Sequence, residues 1–258
     1  MSQKTNLTVD LNSDMGEGFG DWKMGDDAAL LDIVSSANVA CGFHAGDPQI
    51  MSRTFALAAE RQVNVGAHPG FPDLWGFGRR VLPFTPAEIE RIVAYQIGAA
   101  QALSAHAGNP IRYVKPHGAL GNLTPTHPEI TQAICRAIKA VDDSLWFMTF
   151  ANSKAAEVAQ DMGLSVCHEI FADRAYADDG QLVPRSQPGA VIKDPQQAAE
   201  RVLRMVAQGM IECQSGKRIE DVRIDTICIH GDTPTALAMA RHLRQSLEAA
   251  GVSIRRFV

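Results

Sequence analysis

The sequence predicts an α/β fold, a TIM-like (β/α) barrel of seven or eight parallel strands occupying one domain over residues 1–258. Three observations carry this expectation. Strand-like apolar runs alternate with helical patterns from end to end, which favours parallel β/α units over segregated helices or strands. A length of 258 residues suits one barrel and is short for two enzymes side by side. Finally, four apolar runs end in a histidine beside a Gly or Pro break: the runs to Gly42-Phe43-His44, Gly66-Ala67-His68-Pro69, Lys115-Pro116-His117-Gly118 and Ile229-His230-Gly231-Asp232. Barrel enzymes gather reactive groups on the rim where strands end, so these four predict one polar pocket ringed by strand ends.

Taken in order, the first strand is expected at residues 7–12, followed by a glycine-rich loop at 13–25 and a short helix near 27–33. The second strand lies within residues 34–41, and Asp47-Pro48 caps a helix running to about Arg61. The third strand, residues 63–67, ends at His68 and opens a loop at 69–81 that holds Trp75, Phe77 and several glycines. Thr85-Pro86-Ala87-Glu88 reads as a capping box, and Ile89, Ile92, Val93 and Ile97 fall on one face of the helix it starts. The fourth strand is residues 111–115. A second capping box, Thr126 to Glu129, precedes a helix with Ile130, Ile134, Ile138 and Val141 on its inner stripe. Residues 145–150 form the fifth strand, whose helix ends near Gly163, and residues 164–171 form the sixth. The longest irregular stretch, 172–191, precedes a helix from Asp194-Pro195 to about Gly209. Residues 226–229 form the seventh strand and carry His230; Thr233-Pro234 caps a last helix ending at Gly251, and residues 252–258 read as an eighth strand or a tail.

Composition excludes several function classes. Hydrophobic content of 46% is enough for a sizeable core, while a net charge of -5 and a pI near 5.9 leave no electrostatic footprint for nucleic acid or an anionic membrane. The start MSQKTNLTVD lacks a secretory pattern and no apolar run reaches the length of a membrane span, so a cytoplasmic protein with a small-molecule ligand is expected. Five cysteines without a C-x-x-C pair fit reduced thiols, with Cys41, Cys167 and Cys228 as small buried hydrophobes. Cys41 stands three residues before His44, a zinc-ligand spacing that lacks the second pair a structural site needs.

The polar residues near strand ends are the candidates for chemistry. DLNSDMGEGFG places Asp10 and Asn12 on one side of the first strand, with Asp14 and Glu17 in the turn beyond it. Asp10 and Asn12 could equally tie down the loop, whereas Asp14 and Glu17 fit a site above the barrel. Gly16, Gly18 and Gly20 fail the dinucleotide fingerprint because Asp21 stands where its third glycine belongs. Ser215-Gly216-Lys217-Arg218 fails as a P-loop, lacking the earlier glycine and the Ser or Thr, so no ATP motif is visible. His44, His68, His117 and His230 could relay protons, bind metal or polarise a carbonyl. His106, His127, His168 and His242 lie away from such breaks and read as structural. Asp47 is most simply a helix cap, while Asp232 is freer to face a ligand. Lys115, Arg174 and Arg185 could clamp a carboxylate or phosphate, and Glu169 is a further acid.

The segments DLNSDMGEG, SSANVACGFHAGDP, GAHPGFPD, VKPHGAL, EIFADRAYADDGQLVPRSQPGA and HGDTP, in this order and spacing, resemble the A-subunit family of 5-oxoprolinase, also called LamB/YcsF lactam-utilisation proteins, over almost the whole chain. One departure is Gly121, where that family usually has Tyr before Asn122. The resemblance implies a seven-stranded barrel similar to glycoside hydrolase and deacetylase barrels. It also implies opening of the lactam of 5-oxo-L-proline to L-glutamate, with ATP as cosubstrate and the B and C subunits of 5-oxoprolinase as partners. In that reaction Asp14 or Glu17 with His44 and His68 would manage water and protons. His117 and His230 would polarise the carbonyl or leaving oxygen, and Lys115, Arg174 and Arg185 would hold anionic groups beside Asn12, Glu169 and Asp232. Two other readings stand beside it. One is a stand-alone metal-dependent amide hydrolase or deacetylase, with a divalent metal at Asp14, His68 and His117; the other is a non-catalytic subunit that binds ligand or organises its partners.

Overall fold

The computed structural model describes residues 7–230 and 236–258. The expected cap at Thr233-Pro234 and the candidate Asp232 therefore lie outside the described residues.

Strand and helix alternate as the apolar runs require. In chain order they are β1 (Thr8–Met15), α1 (Asp27–Leu31), β2 (Ser36–Ala40), α2 (Pro48–Glu60), β3 (Asn64–His68), α3 (Pro86–His106), β4 (Tyr113–Val114), α4 (Gly118–Leu123), α5 (Pro128–Val141), β5 (Trp146–Phe150), α6 (Lys154–Asp161) and β6 (Val166–Phe171). Then come α7 (Pro195–Gln208), β7 (Ile211–Glu212), β8 (Arg218–Ile219), β9 (Thr226–Cys228), α8 (Ala236–Ala249) and β10 (Ser253–Ile254). Strands β1 to β6 and β9 pair in parallel, and β9 pairs back onto β1, so seven described strands close the ring. The expected eighth strand is β10, which pairs alongside the start of β1 and takes no place in the ring. No helix among the described residues is long and apolar enough to cross a membrane.

The helix caps follow the local chemistry with one exception. The Asp47 carboxylate accepts from the backbone of Gln49 and Ile50, and Thr85 with Glu88 forms the reciprocal box. The second expected box does not form. His127 occupies the cap position of α5 without a side-chain cap bond, and the Thr126 hydroxyl turns back to the Leu123 carbonyl instead. Pro128 at the first helical position, which supplies no N–H, starts the helix. Helix α4 and the antiparallel hairpin of β7 and β8 are elements that the periodicity did not announce.

The apolar core lies between the ring and its helices, where Phe55, Val93, Ile97, Ile134 and Ile138 are fully buried. The inside of the ring is polar. Strand β1 runs on to Met15 instead of stopping at Asn12, because Ser13, Asp14 and Met15 continue the ladder with β2. Asp10, Asn12 and Asp14 therefore alternate onto one face of a single strand. Next to this column Gly66 pairs with Asn38 on one side and Tyr113 on the other. A Cβ at Gly66 would lie 2.3 Å from the Tyr113 ring, so the missing side chain is what admits the phenol to the barrel. Gly66→Ala should cost about 1–3 kcal/mol in urea unfolding, the usual range for overpacking a filled interior.

Candidate active site

The floor of the site is a buried charge network built from β1, β2, β4, β6 and β9. Lys115, directly after β4, brings its ammonium to 3.0 Å from Asp14 Oδ1, 2.8 Å from Glu169 Oε1, 3.3 Å from Asn12 Oδ1 and 3.1 Å from Cys228 Sγ. Asn38 donates to both Asn12 and Asp14, and the Tyr113 hydroxyl donates to Asn38. Asn12 donates to Glu169 and Thr226, while Asp10 accepts from Ser35, Ser36 and Thr226. Burial pushes Asp14 upward, but His68 and Lys115 more than offset it and hold its carboxyl well below the usual range. Burial pushes Lys115 downward, and Asp14, Cys228 and Glu169 more than reverse that, keeping the ammonium charged. Asp10 has no such cation, and burial raises it to about 6.

Above the floor stand the histidines of three successive rim segments. His68 ends β3, His117 precedes α4, and His44 lies between β2 and α2. His44 and His117 stack with centroids 3.6 Å apart, and His68 Nε2 is 3.0 Å from His117 Nδ1. Glu17, reached through a turn at Gly16 with φ +67°, places Oε1 3.4 Å from both His44 Nε2 and His117 Nδ1. Asp14 Oδ2 is 3.5 Å from His68 Nε2. Burial first, then neighbouring imidazoles, hold His44 and His117 well below the ordinary histidine value, so both rings are neutral at pH 7. Phe77, at φ 53°, sets its ring edge-on against both. One ring nitrogen each of His44, His68 and His117, with a Glu17 oxygen, lie within 4.8 Å of one another, a group able to hold a metal ion. Asp14, expected with His68 and His117 as metal ligands, stands beside this group with Oδ1 engaged by Lys115 and Asn38.

Asp14, Glu17, His68, Lys115 and His117 border a cavity of about 630 Å³ that also reaches Glu169, Arg79, His230, Arg174 and Arg185, whereas His44, expected in the pocket, is fully buried against His117 and does not line it. His230 Nδ1 lies 2.9 Å from both oxygens of Asp173, which fixes that nitrogen as the donor and leaves Nε2 to exchange protons. Burial raises Asp173, but the His230 charge outweighs it and keeps the carboxyl low. Asp173 and Arg79 escaped the sequence reading, as did Asn38. The available signal for Asp173 was its position just past β6, the same rim that supplies the histidines.

Several expected roles change once side chains are placed. The Lys115 charge is already matched by two floor carboxylates, so it has no spare charge with which to clamp a ligand. Arg174 is buried and donates to the Val183 and Ala190 carbonyls, closing the base of the 172–191 loop; burial and Arg185 bring its guanidinium down to about 10. Arg185 remains exposed on the cavity wall. Asp10 is a structural acceptor. All five cysteines are buried and unbridged, and Cys41 donates its thiol to the Val39 carbonyl oxygen, with burial pushing it up to about 12, so it stays protonated. His106, His127, His168 and His242 do not line the cavity. Gly121 does, and a Cβ there would sit 2.6 Å from the Pro116 carbonyl oxygen, so an aromatic at this position requires α4 to shift.

The LamB/YcsF family pattern matches residues 9–258. A protein of Gluconobacter oxydans named as the A subunit of 5-oxoprolinase is 58% identical over 251 residues, covering 97% of this chain and 98% of that one. One of the same name from Azorhizobium caulinodans is 56% identical over 250 residues, covering 97% and 98%. The crystal structure of a lactam utilization protein from Thermus thermophilus superposes with a TM-score of 0.91 at 46% identity, covering 96% of this chain and 99% of that one.

The floor network makes a stability prediction. Lys115→Met leaves Asp14 and Glu169 buried without their cation, and denaturant unfolding at pH 7 should register a loss of about 3–5 kcal/mol.

Proposed function

The chain belongs to the LamB/YcsF family, and on that premise we propose that it is the lactam-opening subunit of a 5-oxoprolinase, converting 5-oxo-L-proline to L-glutamate coupled to ATP hydrolysis with the B and C subunits. The observation that carries this reading is the pairing, across one cavity, of an ionised carboxylate beside imidazoles with a second imidazole held by its own carboxylate.

A lactam amide is resonance-stabilised and resists water. Transfer of a phosphoryl group from ATP to the lactam oxygen makes the ring carbon electrophilic. Water then adds to that carbon, and a base must take its proton. Asp14, which lines the cavity with Oδ1 held by Lys115 and Asn38, fills this role through Oδ2, and His68 stands 3.5 Å away to position it. The tetrahedral adduct has two ways to collapse. Expelling phosphate regenerates the lactam and wastes the ATP. Expelling the ring nitrogen breaks the C–N bond and leaves an acyl phosphate, which a second water hydrolyses to glutamate and phosphate. Nitrogen leaves only if it gains a proton, and His230, oriented by Asp173, is the donor for it. Arg185 on the wall is placed to hold the substrate carboxylate or phosphoryl group. No phosphate-binding loop is visible in this sequence, which is compatible with a nucleotide site on partner subunits.

In the complete complex with 5-oxo-L-proline and ATP, Asp14→Asn and His68→Ala should each cut glutamate release by about 10²–10⁴-fold; normal turnover contradicts the assignment. Asp173→Asn should lower glutamate formed per ATP hydrolysed.

A further inference from the structure

The hydrogen bonds that point away from the histidine group reveal what it presents inward. His68 Nδ1 lies 2.6 Å from the Lys115 carbonyl oxygen and His117 Nε2 lies 2.8 Å from the Phe77 carbonyl oxygen. A carbonyl only accepts, so both of these nitrogens carry hydrogen. A ring that carries one hydrogen leaves its other nitrogen bare, and these, His68 Nε2 and His117 Nδ1, face each other at 3.0 Å. Two lone pairs at that distance repel unless a cation lies against both.

His44 adds a second, independent observation. It is fully buried, yet neither ring nitrogen has a hydrogen-bond partner, and Nε2 stands 3.4 Å from Glu17 Oε1. Burying an imidazole this way costs free energy of the order of a lost hydrogen bond or more. The surroundings are shaped to keep it there. A Cβ at Gly70 would lie 2.6 Å from His44 Nδ1, and one at Gly78 would lie 2.7 Å from His44 Cβ and 2.8 Å from His117 Cδ2. Both glycines are therefore needed for the loop to close over the stacked rings.

We propose that Glu17, His44, His68 and His117 bind one divalent transition-metal ion of the zinc class. Three imidazole nitrogens and one carboxylate suit zinc, cobalt or manganese better than magnesium or calcium, which favour all-oxygen shells. The outward N–H···O=C bonds are the outer support that metal-binding histidines usually have. Glu17, His68 and His117 also line the cavity, so a bound ion would act there as a Lewis acid. This set differs from the Asp14, His68 and His117 triad read from the sequence, because the Lys115 ammonium already holds Asp14.

The test uses metal content and spectra, so its outcome is separate from that of the lactam reading. Metal-stripped wild-type chain is titrated with Co(II) and Zn(II). The expected result is one ion per chain, Co(II) visible absorption of a nitrogen-rich site, and a higher melting temperature with Zn(II). His44→Phe, which keeps a ring in the stack, and Glu17→Gln should each bind at least about 10–100-fold more weakly, while Asp14→Asn should retain the ion. No stoichiometric uptake by the wild-type chain would overturn the proposal and leave a shared proton between His68 and His117. Undiminished binding in His44→Phe and Glu17→Gln variants that melt cooperatively would overturn the ligand set, as would loss of the ion in Asp14→Asn.

Discussion

The Lys115 ammonium lies 2.8 Å from Glu169 and 3.0 Å from Asp14 in a place that solvent hardly reaches, and two layers of the molecule depend on it. Desolvating three charges is costly, and amide donors beyond the ammonium offset part of it, Asn38 donating to Asp14 and Asn12 to Glu169. The same residue reaches the histidines through its backbone, since its carbonyl accepts from His68 Nδ1 and so decides which His68 nitrogen faces the cavity. Side chain and main chain of one residue thus fix the carboxylate below and the imidazole above.

This makes the ring unusual among parallel barrels, whose interiors are commonly filled by branched apolar side chains. Here the apolar filling is outside, between strands and helices, and the interior column from Asp10 to Asp14 is a hydrogen-bonded lattice. Such a lattice is rigid when every member is satisfied, which suits a floor that must hold a carboxylate in one rotamer. The cavity wall is tied by the same means: buried Arg174 holds the base of the 172–191 loop by its carbonyls, and Arg201 in turn donates to the Arg174 carbonyl.

Much of this was legible in the chain itself. The alternation of runs gave the seven ring strands, and the Gly and Pro breaks after them brought His44, His68, His117 and His230 to one end. What escaped was whatever depends on partners distant in sequence. Asp14 looked like a loop residue because polar side chains inside a barrel break the apolar pattern that marks a strand. Lys115 and Arg174 looked like ligand clamps because their partners, Asp14, Glu169, Val183 and Ala190, are brought in by closure of the ring and folding of the loop. The Thr126 box failed because Pro128 began the helix one position late for it. Asp173 went unnoticed beside the arginine that follows it, although its carboxylate is what orients His230.

Asp10 and Asp14 give the most direct measurement, since they share one face of one strand and differ chiefly in reach to the ammonium. Carboxyl ¹³C resonances of labelled aspartates can be followed from pH 3.5 to pH 8, where an ordinary aspartate titrates at about 3.9. The Lys115 network predicts that Asp10 takes up its proton near pH 6 while Asp14 stays ionised throughout. Both residues titrating together near the ordinary value, or Asp14 protonating above it, would contradict the account.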